Sequence, residues 1–298
     1  MNTIIPSNKE NLPGHLSFFR NKGFEQNLPS GVSVLHGGSI NQVFLIDVSG
    51  QKQVVKYNSR KDLPGLFEAE EQGMKFLRDN SEFFVPKVLT QYTCNDFSLL
   101  ALEYFESTES PSFQFWYDSG RKLAALHRKS SSWFGFENDN YFADIVVDNQ
   151  PSADWVDFYI LRRLEPLIRL NVDEGRISTA TIRLVERMYK KLDDIFPGEV
   201  PALLHGDLWS GNFLKGVNAQ AALIDPAVYF GHREMDLAMT TLFGGFEAGF
   251  YEGYEEHFPL EKDWRKRAGI AQLFPLLYHS YKFGGQYITR VKEVVAVF

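Results

Sequence analysis

The stretch between residues 201 and 227 interrupts a helical pattern that fills most of the second half of the chain. Before it, apolar residues recur at helical spacing over 113–129, 153–170 and 178–196; after it they do so over 233–242, 246–257 and 263–287. Inside the stretch, glycine and polar residues separate three short apolar runs, 202–204, 212–214 and 221–224. We therefore predict an island of strands and loops within a helical domain. Loops held by a rigid scaffold commonly carry a protein's chemistry.

The first third of the chain has a different pattern, with short β-branched runs at 32–35, 42–48 and 53–57. Gly37-Gly38 and Ser49-Gly50 bound these runs, so we predict consecutive strands joined by tight turns. We also predict a short helix at 8–22, a longer one at 66–79 with its acidic residues early, and strands at 85–91 and 97–103. The fold class is then α+β. A small antiparallel-sheet lobe with one main helix (1–105) precedes a mostly helical lobe (106–298).

Composition and charge limit the classes of partner. With 44% hydrophobic and 23% charged residues, 298 residues form a core without disulfide or metal staples. Cys94 is the single cysteine, and no run reaches the ~18 apolar residues of a membrane helix. No basic tract offsets the net charge of -7, which argues against a nucleic-acid partner. We expect a cytoplasmic protein without a secretory leader, a membrane partner or a nucleic-acid partner, present as a monomer or weak dimer.

The island carries polar residues at the spacing that phosphoryl transfer requires. Residues 205–212 read His-Gly-Asp-Leu-Trp-Ser-Gly-Asn, which has the H-x-D-x-x-x-x-N spacing of a kinase catalytic loop. Asp207 suits the carboxylate that orients an acceptor hydroxyl and takes its proton. Asn212, together with Asp225 after the next apolar run, suits the oxygen ligands of Mg²⁺. An isolated His-Gly-Asp or Asp-Pro is often an ordinary turn, but their order and spacing here favour a catalytic loop.

The first lobe offers groups suited to ATP. Lys56 ends a predicted strand and suits the α- and β-phosphates, with Glu70 of the following helix as its expected ion-pair partner. Glu68 and Glu71 are the alternative partners of Lys56. Most Lys–Glu pairs are solvated surface charges, so a pairing alone is weak evidence for a site. The candidates for a phosphate-covering loop are Gly37, Gly38, Ser39 and Asn41. The candidates for the adenine contact between the lobes are Glu103, Tyr104 and Phe105. The covering loop has two adjacent glycines in place of G-x-G-x-x-G.

The motif at 203–212 resembles that of the fructosamine kinase, or ketosamine-3-kinase, family. This family belongs to the aminoglycoside-phosphotransferase-like branch of the protein-kinase-like fold. The Trp-Ser-Gly at 209–211 narrows the resemblance, because related choline and aminoglycoside kinases usually differ there. Residues 224–239 are similar to a second family motif. Matches at 55–56, 67–70, 123–127 and 243–246 extend the resemblance over nearly the whole chain.

The resemblance implies ATP-dependent phosphorylation of the C3 hydroxyl of a ketosamine, a sugar joined to an amine. The unstable 3-phosphate then eliminates and frees the amine, which is a deglycation reaction. By the same resemblance Asp207 is the proton acceptor, Asn212 and Asp225 bind Mg²⁺, and Lys56 with Glu70 clamps the nucleotide. Residues 103–105 become the adenine-binding hinge. Asp236 supports the catalytic loop, and Trp209 either packs on the sugar or is buried between the lobes.

Two other functions stay open at this point. A related kinase acting on an aminoglycoside, choline or a similar alcohol would need an acidic or aromatic cage for a cation in the C-terminal helices. Acids that could supply one are Glu247, Glu252, Glu255 and Glu256, although their spacing also suits a solvated helix face. The other alternative is an inactive, kinase-like binding module, against which the complete set of Lys56, Asp207, Asn212 and Asp225 argues. A protein kinase is disfavoured because Asp225-Pro226-Ala227 replaces D-F-G and no A-P-E follows.

Overall fold

A computed structural model describes residues 32–35, 40–59, 61–108 and 111–298, and for residue 218 its backbone only. The described part of the first lobe contains five strands: β1 (Val32–Leu35), β2 (Gln42–Val48), β3 (Gln51–Asn58), β4 (Val88–Thr93) and β5 (Ser98–Glu103). They form one antiparallel sheet in the order β1-β2-β3-β5-β4. The predicted meander is confirmed. The predicted helix at 8–22 and the residues 36–39 lie outside the described residues.

Alternation along β2 and a tight turn explain this sheet. Phe44, Ile46 and Val48 are buried on one face, while the residues between them are more exposed. Ser49 and Gly50 both have positive φ, 56° and 83°, the pattern of a type I′ hairpin turn. Helix α1 (Leu66–Asn80) packs against the sheet through its own buried face. From residue 32 onward, the described residues of the first lobe contain the one main helix that the sequence predicts there.

The strand predicted at 85–91 begins later, at Val88. The chain just before it pairs instead with the second lobe, where Phe84 N donates to Ala221 O (3.1 Å) and Leu223 N donates to Phe84 O (2.9 Å). This pairing joins residues far apart in the sequence, so no local sequence pattern predicts it. It fastens the first lobe to the strand that precedes Asp225.

The second lobe is mostly helical. Its helices are α2 (Phe113–His127), α3 (Trp155–Phe158), α4 (Glu165–Asp173), α5 (Thr179–Tyr189), α6 (Leu192–Ile195), α7 (Glu234–Leu242), α8 (Ala248–His257), α9 (Trp264–Ala271), α10 (Leu273–Phe283) and α11 (Gln286–Val295). A π-helical segment, Tyr159–Leu164, joins α3 to α4. Its strands are β6 (Asn140–Phe142), β7 (Ile145–Val147), β8 (Ala202–Leu204), β9 (Phe213–Lys215), β10 (Ala221–Leu223) and β11 (Tyr229–Gly231). Within the described residues, no helix is long and apolar enough to cross a bilayer.

Two helices that the sequence predicts as continuous are broken. The helix expected over 178–196 divides between α5 and α6. The one expected over 263–287 becomes α9, α10 and part of α11. Gly284 and Gly285 separate the last two, with φ of 63° and 57°, a region that glycine enters at little steric cost. Periodicity alone missed these breaks because the apolar spacing continues across them.

The predicted island of short strands is confirmed. Strand β8 pairs with β11, and β9 pairs with β10, both antiparallel. All three residues of β8 and of β10 are buried. These pairs hold the loop 205–212 between β8 and β9, and they place Asp225 just after β10. The loop and Asp225 thus reach the lining of one cavity.

Helices α2 and α8 approach each other at two glycines. A Cβ atom on Gly120 would lie 1.9 Å from the Phe250 carbonyl oxygen, and one on Gly253 would lie 2.1 Å from the Tyr117 carbonyl oxygen. Neither contact is physically possible, so both positions require glycine. The close approach lets His127 at the end of α2 reach Tyr254 of α8, with Nδ1 and the hydroxyl 2.8 Å apart.

We predict that Gly120→Ala destabilises the protein. In an open helix this change stabilises by about 0.5–1 kcal/mol, but here the methyl must push α8 away, at the ~1–3 kcal/mol that overpacking costs. Thermal unfolding should show a lowered midpoint. Gly269→Ala in α9 is the matched control, because its nearest neighbour would be a Val294 methyl at 3.4 Å. Equal midpoints for the two variants would contradict this packing.

Candidate active site

The loop after β8 is held in shape by His205 and Gly206. Asp207 N donates to His205 Nδ1 (3.2 Å), and His205 Nε2 lies 3.0 Å from Ile224 O, so Nε2 carries the ring proton and donates it. Burial lowers the pKa of His205, which keeps the ring neutral. Gly206 has φ 84°, and a Cβ there would lie 2.0 Å from Ala227 O. His205 is thus part of the loop's framework.

Asp236 supports the same loop from the first turn of α7. Its Oδ2 accepts the backbone N–H of His205 at 2.7 Å, and its Oδ1 accepts that of Gly206 at 3.0 Å. His127 Nε2 lies 3.3 Å from Oδ2. Asp236 is buried, so these bonds offset the cost of removing its charge from water. This is the supporting position that the sequence led us to expect.

Asp207 and Asn212 face each other across the loop. Asn212 Nδ2 donates to both Asp207 O and Asp207 Oδ2, each at 2.9 Å. Burial, followed by the nearby charge of Asp225, raises the pKa of Asp207 to about 8, while the Asn212 hydrogen bond opposes the shift. In the protein alone Asp207 therefore titrates close to neutral pH, the range in which a carboxylate exchanges protons most effectively.

Lys56 joins the first lobe to Asp225. Its Nζ lies 2.5 Å from Glu70 Oε1 and 2.5 Å from Asp225 Oδ1. Burial alone would lower the pKa of Lys56, but the charges of Asp225 and Glu70 outweigh it and raise the pKa. Burial also raises the pKa of Glu70, against the effect of Lys56. The competitor Glu68 points elsewhere, accepting hydrogen bonds from Gln91 and Thr93 of β4.

A cavity of about 170 Å³ lies between these groups. Seven of the residues predicted for the site line it together: Asn41, Lys56, Glu70, Asp207, Trp209, Asn212 and Asp225. Asn41 is oriented by Asn58, whose Nδ2 donates to Asn41 Oδ1 at 2.7 Å. Residues that the chain separates by up to about 180 positions thus meet at one cleft between the sheet and the island. Gly37, Gly38 and Ser39 fall among the residues left undescribed.

The predicted adenine-contact residues lie outside this cavity. Glu103 N donates to Lys87 O at 2.9 Å, which keeps Glu103 at the end of the sheet. Lys52 Nζ lies 5.3 Å from the centre of the Tyr104 ring. The Phe105 ring packs against Phe84, with centroids 5.0 Å apart. The segment 103–105 therefore ends the sheet beside Phe84, and its role toward adenine stays a prediction.

Trp209 is half-buried beside Asp207. Its ring folds over Gly211, where a Cβ would lie 2.2 Å from the ring, and it contacts Phe243 with centroids 5.8 Å apart. It also lines the cavity of Asp207. The structure shows the Trp209 ring beside the cavity and not fully buried, a position from which it could contact a substrate. Whether its ring packs on a substrate stays a prediction.

The donor set fits Mg²⁺. Asn212 uses its amide nitrogen on Asp207, and Lys56 bonds Oδ1 of Asp225. Among the described residues, no hydrogen bond reaches Oδ1 of Asn212 or Oδ2 of Asp225. Two oxygen ligands from protein suit an ion that keeps several waters and binds phosphates. Consistently, the described ranges contain no cluster of three or more His, Cys, Asp or Glu that could hold a metal on its own.

Three of the four acids considered for a cation cage lie elsewhere. Glu252, Glu255 and Glu256 line a separate cavity of about 520 Å³, which shares no lining residue with that of Asp207. The guanidinium of Arg265 already stands over the aromatic rings there, 4.8 Å from the centre of Tyr251 and 4.6 Å from that of Trp264. These acids therefore do not face the group expected to do the chemistry.

Sequence reasoning missed one part of the site, the hairpin of β6 and β7. Asn140, Tyr141 and Ala143 line the cavity with Asp207. The strands are three residues each, and the turn between them lacks the Asn-Gly or Asp-Gly pair that announces a hairpin. The apolar run Ile145-Val146-Val147 was the available sign of a strand. Three residues are too few to distinguish a strand from the residues that lead into a helix.

The fold defines the class of the protein, one with a protein-kinase-like fold. A crystal structure of an aminoglycoside phosphotransferase in a ternary complex with AMP-PNP and hygromycin B matches with TM-score 0.66 and 17% identity. It covers 95% of this chain and 98% of that one. At this identity the likeness shows the fold alone. The predicted two-lobe, kinase-like fold is confirmed.

The chain belongs to the fructosamine kinase family, whose sequence model, described as fructosamine kinase, matches residues 19–298. A protein named probable ketoamine kinase from Enterococcus faecium is 36% identical over 88% of this chain and 93% of its own. The chloroplastic protein-ribulosamine 3-kinase of rice (Oryza sativa subsp. japonica) is 33% identical over 89% and 78%. A Thermobifida fusca structure assigned as a fructosamine-3-kinase matches with TM-score 0.82 and 30% identity, covering 96% and 97%. The resemblance seen in the motifs is confirmed.

We predict that Asp236→Asn impairs the loop that carries Asp207. The change replaces one carboxylate oxygen, an acceptor, by an NH₂ group, a donor, which would then face a backbone N–H. One of the two charge-assisted hydrogen bonds from the loop is therefore lost. Turnover should fall by about 10-fold, with little change in the KM for ATP because Asp236 does not line the cavity. Steady-state kinetics checks this. An unchanged kcat would show that the loop keeps its shape without these bonds.

Proposed function

We propose that this chain transfers the γ-phosphoryl group of ATP to the C3 hydroxyl of a ketosamine. The observation that carries the proposal is the convergence of Lys56, Asp207, Asn212 and Asp225 on one cavity. Membership of the fructosamine kinase family and the names of its relatives support the substrate class. The separate position of the acidic cavity in α8 and α9 disfavours an aminoglycoside or choline acceptor at that surface.

Asp207 is the proposed base. It orients the C3 hydroxyl, whose oxygen forms a bond to the γ-phosphorus while the bond to the β–γ bridging oxygen breaks, and ADP leaves. The hydroxyl proton passes to an oxygen of Asp207. Asn212 donates to Oδ2 of Asp207, so this hydrogen bond holds the carboxylate in place and leaves Oδ1 for the substrate. Positioning of the hydroxyl supplies much of the rate enhancement.

Lys56 is the proposed phosphate ligand of the first lobe. Glu70 and Asp225 hold its ammonium group at the cavity, already ionised and aligned. Asn212 Oδ1 and Asp225 Oδ2 would hold Mg²⁺, which offsets charge on the β- and γ-phosphates. Gly37, Gly38, Ser39 and Asn41 are proposed to cover the phosphates, and residues 103–105 to contact adenine. A boundary between the lobes near residue 105, a cytoplasmic location and a monomer or weak dimer remain predictions.

The product explains a deglycation role. The C2 carbonyl acidifies the C1 proton, and loss of that proton gives a C1–C2 enaminol. From the enaminol the C3 group leaves as inorganic phosphate far more easily than the hydroxyl it replaces would leave. The imine that remains at C1 is hydrolysed by water, which frees the amine. The protein's own part in this sequence ends with the phosphoryl transfer at C3.

We predict that Asp207→Asn lowers kcat by about 10²–10⁴-fold, because the amide keeps the shape but cannot accept the proton. Binding of Mg·ATP, followed by calorimetry, should stay within a few-fold of wild type since Lys56 and Asp225 are intact. A variant that keeps more than about a tenth of wild-type turnover would mean that another group is the base.

The substrate class is tested by a panel of ketosamines with one sugar and different amines, beside an aminoglycoside and choline. A site that hydrogen-bonds particular hydroxyls rejects analogues that lack them, whereas an outward substituent contributes little. We expect kcat/KM to vary modestly across the amines and to fall by about 10²-fold or more for the 3-O-methyl sugar. Turnover of choline or the aminoglycoside, with none on any ketosamine, would refute the proposal.

A further inference from the structure

The β6–β7 hairpin contributes to the lining of the cleft through Asn140, Tyr141 and Ala143. Its strands pair through Phe142 and Ile145, so Ala143 and Asp144 form a two-residue turn. Ala143 lines the same cavity as Asp207 and Trp209, whereas none of residues 103–105 does. If ATP lies as proposed, with adenine near 103–105 and phosphates at Lys56, this turn stands beside the space left for the acceptor.

The turn holds Ala143 in an unfavourable backbone conformation. Its φ is 55°, while Asp144 is not among the described residues with positive φ. A positive φ at the first central residue alone is the type II′ pattern, where glycine is the preferred residue. A side chain at such a position is strained and persists where the surroundings hold it. Asp225, which lines the same cavity, also has positive φ (54°).

Asp144 ties the turn to helix α10. Its Oδ1 accepts the Tyr278 hydroxyl at 2.9 Å, and its Oδ2 lies 2.7 Å from Lys282 Nζ. The Asp144 side chain is 6% exposed and that of Lys282 is 27% exposed, so water weakens the pair little. Burial, then the hydrogen bond to Asp144, raises the pKa of Tyr278, and the charge of Asp207 adds to the shift.

We propose that the β6–β7 turn forms a wall of the acceptor subsite, where the Ala143 methyl limits the room beside the hydroxyl that faces Asp207. Asp144, held by Lys282 and Tyr278, is a positioning residue that keeps this methyl in place. The inference rests on the proposed function, because it takes the acceptor to be a sugar. It assigns to the turn the discrimination between ketosamines that differ at C4, the carbon next to the reacting hydroxyl.

The backbone strain makes the test sharp, because glycine at 143 should not destabilise the protein. A change in substrate discrimination then reports the loss of the methyl group and not a loss of folding. Ala143→Gly relieves the strained φ, so the melting temperature should be at or above that of wild type. The same change removes the methyl. The kcat/KM ratio between a fructosamine and its C4 epimer, a tagatosamine with the same amine, should then fall by about 10-fold, the discrimination that one methyl group supplies.

Ala219→Gly is the matched control. Ala219 has φ 57°, is exposed and does not line the cavity, so the identical substitution should leave the epimer ratio unchanged. A wild-type ratio near one, or a ratio that Ala143→Gly leaves unchanged, would overturn the inference while the proposed function stands. If wild type phosphorylates no ketosamine at all, the proposed function fails instead, which the same assay shows.

Asp144→Asn tests the tether. It keeps the size of the side chain but loses the charge that holds Lys282, so the melting temperature should fall. The epimer ratio should fall as in Ala143→Gly, with the KM for ATP unchanged. Because both residues act through one turn, the double variant should discriminate no worse than Ala143→Gly alone. A lowered melting temperature with a wild-type ratio would make Asp144 purely structural.

Discussion

The geometry of the site depends on the buried carboxylate of Asp236. It takes the backbone N–H groups of His205 and Gly206, and it also meets His127 at the end of α2. A charge this deeply buried is tolerable only when hydrogen bonds replace its hydration. The requirement works in both directions, because the loop needs Asp236 as an acceptor and Asp236 needs the loop as a donor. The position of Asp207 is thereby linked to the packing of α2, α7 and α8.

A second carboxylate, Asp225, links the lobes. It lies after β10, and its Oδ1 bonds Lys56 of β3, which Glu70 of α1 holds from the other side. One ammonium group thus connects the sheet, the helix of the first lobe and the island. Breaking this cluster by removing a single member would leave a charge without its partner, which costs more than the cluster itself contributes. The arrangement is therefore suited to a site that must keep several like charges close together.

Much of this could be predicted from the sequence, and the rest shows why not all of it could. The loop at 205–212, Asp225 and the Lys56–Glu70 pair follow from local spacing, and the structure brings them to one cleft. The β6–β7 hairpin escaped because its strands are short and Ala143 stands where glycine would have revealed the turn. The breaks at Gly284 and Gly285 were visible as a glycine pair but were overridden by continuing periodicity. The pairing of Phe84 with β10 joins distant segments, so it has no local trace.

That pairing of Phe84 has a mechanical consequence. Phe84, just before β4, bonds β10, and Thr108, a few residues after β5, donates its backbone N–H to Lys215 O at the end of β9. Strands β9 and β10 are themselves paired, so both contacts are made to one two-stranded ribbon. The β4–β5 hairpin is thus anchored at both of its ends to the ribbon that leads into Asp225, and a displacement of the ribbon would be passed to both ends of the hairpin at once.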